Sequence, residues 1–192
     1  LRRQRQMCIR DRATIVLNRF ISRGTPDAEI YDLLGRAYAA DNRPRESTAA
    51  LQRASELAPK NAQILARLAA SRLAAGDNAG STQAAEGVLA LVPDQPGARQ
   101  MLAVAALGRG DIATAETELA KLDATVKSGE VGSTLSAAIK LARLDLAGAK
   151  IDFEAALKAN ADSVAARLGL ARVAAADGRT ADVDRLLAEV LQ

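Results

Sequence analysis

Asp77, Asp111 and Asp145 recur at a 34-residue interval and invite a reading as an acidic array. Their surroundings argue for a simpler role. Each follows or replaces a turn residue ahead of a helical stretch, where a carboxylate accepts backbone N–H bonds and faces the positive end of the helix dipole. Glu116 and Glu118, like Asp182 and Asp184, stand two apart on helical stretches. That spacing points the side chains away from each other, so neither pair can work as acid and base on one bond, and both read as solvated surface. Hydroxyls are scattered through Ser47, Thr48, Ser81, Thr82, Thr114, Thr117, Ser133 and Thr134, but the chain has no His to act as their base and no Gly-x-Ser-x-Gly elbow. The glycines fall singly at turns, so no phosphate-cradling loop can be drawn. The sequence therefore offers no catalytic residue and no cofactor site.

Metal chemistry fares no better. A lone Cys8 and the absence of His leave neither a disulfide framework nor a zinc site. The net charge of +3 hints at nucleic acid until it is located: residues 1–12 hold five Arg against one Asp, so the remainder is slightly acidic. A nucleic-acid-binding body would carry its basic residues on one face and supply stacking aromatics, and only 2% of this chain is aromatic. No charge-free apolar run approaches the roughly 18 residues of a membrane span. Hydrophobic residues nevertheless make up 49% of the chain, so the core must be built from Ala and Leu, a composition suited to closely packed helices.

Elements that could position a site emerge from the spacing. Between residues 28 and 61, Tyr31, Leu34, Gly35 and Tyr38 share one helical stripe, Leu51 and Ala54 share another, and Pro59 closes the unit. Steps of 34 residues place Leu68, Ala69 and Pro93, then Leu102, Ala103, Leu119 and Leu122, then Ala137, Phe153 and Ala156, then Leu170, Ala171, Leu187 and Val190 in the same slots. This pattern resembles the tetratricopeptide repeat family. The resemblance implies an all-α chain, a right-handed α-solenoid of stacked helix-turn-helix repeats. The units are 28–61, 62–95, 96–129, a degenerate 130–163 and an incomplete 164–192, preceded by the second helix of a truncated repeat at 13–27. Residues 1–12 break the register; the run Gln6-Met7-Cys8-Ile9-Arg10-Asp11-Arg12 reads as a non-native leader, and the chain as a fragment at both ends.

Each pair has a small residue, Gly35, Ala69, Ala103, Ala137 or Ala171, where its two helices approach, and a Leu there would overpack by roughly 1–3 kcal/mol. Gly76, Gly110 and Gly178 share the turn slot with Asn42 and Leu144. Leu144 is unsuited to positive φ, which predicts a differently closed turn with a cap shifted to Gly148. The missing proline near residue 127, with Ser133 and Ser136 at slots otherwise apolar, predicts a soft joint at 125–136.

Family members receive peptides on a concave face lined by the first helix of each pair, here called the A helix. Carried onto this chain, that face presents Asp32, Arg36, Arg67, Gln100, Met101, Val104, Thr134, Leu135, Leu168 and Arg172. The Lys, Asn and Arg slots by which some members grip a peptide C-terminus hold Asp32, Ala66, Ala70 and Gln100, so that clamp is absent. The expected function is a non-catalytic scaffold for a peptide or helix of a protein partner, with no nucleic acid and no membrane span. Leu186, Leu187, Val190 and Leu191 leave an apolar face on the last helix that offers an oligomerisation surface. The Ala-rich, Arg-over-Lys composition resembles bacterial periplasmic or lipoprotein scaffolds of exopolysaccharide and exosortase-type systems. The alternative is a regulatory or substrate-holding region of a larger enzyme such as a glycosyltransferase.

Overall fold

Stretches of Ala, Leu and charged residues, interrupted by Gly, Asn, Asp and Pro, fold as the helices their local preferences favour. A computed structural model describes residues 14–191 apart from 20, 23, 25 and 26, and every regular element among them is an α-helix. Helical residues 14–19 form α1. They are followed by α2 (Ala28–Ala40), α3 (Pro44–Leu57), α4 (Ala62–Ala74), α5 (Asn78–Leu91), α6 (Pro96–Gly108) and α7 (Ile112–Ala120). Then come α8 (Ala124–Ser128), α9 (Glu130–Ala142), α10 (Leu146–Ala159), α11 (Val164–Ala176) and α12 (Thr180–Leu191). The readings that rest on residues 1–12 lie outside the described residues, as do residues 13, 20, 23, 25 and 26 of the truncated repeat.

One closure recurs at the end of every A helix. After α2, the N–H of Arg43 donates to the Tyr38 carbonyl at 2.9 Å and that of Asn42 to the Ala39 carbonyl at 3.1 Å. This is a Schellman motif, in which a left-handed residue folds the chain back onto the last free carbonyls. Asp77, Asp111, Asp145 and Arg179 make the equivalent long bond after α4, α6, α9 and α11. Three of these four are the aspartates that looked like an acidic array, and each also accepts an N–H from the first turn of the next helix: Gly80, Thr114 and Gly148 respectively. One residue thus closes one helix and caps the next.

The left-handed slot holds Asn42, Gly76, Gly110, Leu144 and Gly178, all at positive φ. Leu144 corrects the sequence expectation: it adopts φ 63° like its counterparts rather than closing the turn elsewhere. Gly148 sits inside α10, donating to Asp145. The strained Leu is tolerated because its side chain is 81% exposed and meets no wall.

The chain divides within α6 into two compact units, Leu1–Met101 and Leu102–Gln192. In the first, α2 packs on α3, α3 on α4 and α4 on α5. Leu34, Leu51, Leu68 and Val88 are buried among Ala50, Ala54, Ala69 and Ala85. A Cβ on Gly35 would stand 2.5 Å from Leu51 Cγ, so the small-against-large pairing is enforced by contact.

In the second unit, α9 packs on α10, α10 on α11 and α11 on α12, with α7 and α8 also against α9. The third-to-fourth joint is organised differently from the others. Helix α7 has 9 residues where α3, α5 and α10 have 14. The five-residue α8 takes up the difference, and its backbone lies so close to Gly132 that a Cβ there would collide with the carbonyls of Val126 and Lys127. Gly132 is therefore a packing requirement. Ser136 is also not an unfilled apolar slot, since its hydroxyl donates to Asp152 at 2.6 Å. Further along, Phe153 stands in the slot of Leu51, and Gly169 on α11 gives its ring room, again at a distance no Cβ would allow.

Candidate functional site

Small residues on α2 and α4 leave space between these helices, and α3, packed against both, forms a floor beneath it. The result is an open cavity of about 210 Å³. Its apolar walls are Ala39, Ala70 and Ala74 from the two A helices and Pro44 and Leu51 from α3. Alanine favours helix without filling volume, so the local preference of the sequence and the opening of the cavity have one cause.

Polar groups sit at defined points of this cavity. Arg36 and Arg67 line it from facing helices. Asp32 is only 6% exposed, and its carboxylate accepts from Arg67 Nε at 2.6 Å across the two helices. Burying that charge is tolerable because a guanidinium meets it directly. Arg36, one turn further along α2, is exposed and makes no salt bridge among the described residues. Ser71 of α4 reaches to α3, donating to the Pro44 carbonyl at 3.1 Å and accepting from the Thr48 hydroxyl at 2.9 Å. Ser47 is fully buried, lines the cavity, and its hydroxyl meets no partner. Ser81 repeats that slot on α5 with the same unpartnered hydroxyl.

The rim beside Pro44 is joined by side-chain contacts. Arg43 Nε donates to Glu46 at 2.9 Å, and its guanidinium lies over the Tyr38 ring at 4.6 Å. Helix N-terminal backbone N–H bonding at Glu46, with Arg43 second, holds the Glu46 carboxyl below its ordinary pKa. Tyr38 in turn accepts from Asn18 Nδ2 at 3.0 Å, tying α1 to the same corner.

Among the residues expected to face a partner, Arg36 and Arg67 line this cavity, whereas Asp32 is buried behind Arg67 and bonded to it rather than presented to a partner. Gln100 and Met101, on the same unit's part of α6, are half-buried. In the second unit Val104 is 38% exposed, and Leu168 and Arg172, one turn apart on α11, are also exposed. Thr134 is half-buried and donates to the Glu130 carbonyl at 2.7 Å. Leu135 does not stand on an open face: it is 3% exposed, in a cluster with Ala103, Ala106 and Ile139. Its slot turns inward because the small side chains of Ala103, Ala106 and Ala115 leave room for it in that cluster.

Glu118 is a second correction. It is 7% exposed rather than solvated and pairs with Lys121. Its slot is that of buried Ala50 and Ala84, so the 34-residue register itself carried the signal. Glu116 does lie nearer the surface, bound by Arg143 at 2.7 Å. Sequence reasoning also missed Ser47 and the cavity walls, whose signal was small residues at facing slots 39, 70 and 74.

Another depression, about 390 Å³, opens between α3, α4 and α5. Within its lining Arg72 bonds both Gln52 and the Gly80 carbonyl, and Ser55 donates to the Gln52 carbonyl. Among the described residues no group of three His, Cys, Asp or Glu side chains could hold a metal, and no helix is long and apolar enough to cross a membrane.

No protein-family model matches the chain, and no curated protein matches it in sequence. Solved structures do match in fold. A thermophilic tetratricopeptide-repeat protein of Thermus thermophilus, TTC0263, is 18% identical with a TM-score of 0.74, over 85% of this chain and 90% of that one. PilW, a type IV pilus biogenesis factor, is 19% identical with a TM-score of 0.67, over 85% of this chain and 76% of that one. A chain of the APC/C hetero-tetramer Cut9-Hcn1 is 15% identical with a TM-score of 0.77, over 95% of this chain and 36% of that one.

Proposed function

The chain has the tetratricopeptide-repeat fold, and we propose that it is a non-catalytic scaffold whose A-helix face binds a peptide or helix of a partner protein. The repeats are 28–61, 62–95, 96–129, 130–163 and 164–192. The observation that carries the reading is the cavity between α2 and α4, apolar in its walls and edged by Arg36 and Arg67. A concave, mostly apolar site with a few placed polar groups is what recognition of a side chain needs. Within the first unit the reading assigns partner contacts to Arg36, Arg67, Gln100 and Met101, with Asp32 holding Arg67 in place; within the second unit, taken by itself, it assigns them to Val104, Thr134, Leu168 and Arg172.

The likeness to PilW, together with the composition, supports a place in a bacterial cell-envelope or export assembly. A direct test mixes the purified chain with the proteins encoded beside its gene and follows binding by calorimetry, with Ala70→Leu as the filled-cavity control. Ala70 is exposed on α4, so the substitution fills space without touching the core. Binding by a neighbour that Ala70→Leu weakens at least tenfold supports the proposal. Binding that Ala70→Leu leaves untouched refutes the assignment to this face.

A further inference from the structure

We draw no further inference here: the strongest candidate, the outward apolar face of α12 around exposed Leu187 and Leu191, is an unpartnered helix face, and nothing in the structure shows what covers it.

Discussion

Leu144→Asn should stabilise the second unit. Leu144 adopts φ 63°, where a branched side chain crowds the following carbonyl at a cost of roughly 1–2 kcal/mol, and Asn is among the residues that visit this region readily. The same slot in the first unit holds Asn42, at φ 55°. Against this relief stands whatever burial Leu144 has. At 81% exposure it covers about a fifth of its surface, and full burial of such a side chain is worth about 1.5–3 kcal/mol, so the loss is about 0.3–0.6 kcal/mol. The net gain is about 1 kcal/mol. With a urea dependence of about 2 kcal/mol per molar, the unfolding midpoint followed by circular dichroism should rise by about 0.5 M. Amide exchange in α9 and α10 should slow in step, which matters because repeat arrays need not unfold as one unit. The reverse change, Asn42→Leu, should lower stability by a similar amount. A midpoint that falls in Leu144→Asn would refute the reasoning, because it would mean that the leucine buries more than its exposure indicates.

Other outcomes follow from single contacts. Gly132→Ala should destabilise the second unit by roughly 1–3 kcal/mol, since the colliding atoms belong to the α8 backbone and cannot rotate away; thermal melts and proteolysis near Lys127 report it. Arg67→Ala should cost about 2–3 kcal/mol by stranding buried Asp32, whereas Asp32→Ala should cost less because Arg67, 36% exposed, can turn to solvent; paired urea midpoints check the asymmetry. Asp111 has its pKa lowered by the Thr114 side chain first and its backbone N–H second. A lowered pKa gives stability that is complete above the ordinary carboxylate value and is lost as pH falls through the folded value. Asp111→Asn should therefore shrink the acid-induced fall in stability below about pH 4, measured by melts across pH 2–7.

Much of this architecture was legible because the repeat makes one physical demand many times. Gly35 against Leu51 and the capping aspartates each solve a problem that recurs every 34 residues, so register alone located them. What escaped was local compensation. Phe153 fits because Gly169 yields space, a pairing absent from the other repeats. Leu144 keeps a turn its side chain disfavours because the turn's own bonds, from Leu144 to the Leu141 carbonyl and from Asp145 to the Lys140 carbonyl, are retained while the side chain stays exposed. Leu135 lies on the A-helix stripe yet is buried, since Ala103, Ala106 and Ala115 leave room for its side chain. The cavity was hardest to see. A site made by the absence of side chains at Ala39, Ala70 and Ala74 leaves no motif, and the Asp32–Arg67 bond that borders it joins residues of two different repeats.

The most direct measurement is selection of peptide binders from a random library on the immobilised chain, followed by affinity measurement against the Ala70→Leu and Ile151→Glu variants. Ala70 borders the cavity, whereas Ile151 is an exposed residue of α10 in the other unit. The expected result is that selected peptides lose at least tenfold in affinity for Ala70→Leu and none for Ile151→Glu. Peptides that bind both variants as tightly as the original chain would contradict recognition through the α2–α4 face.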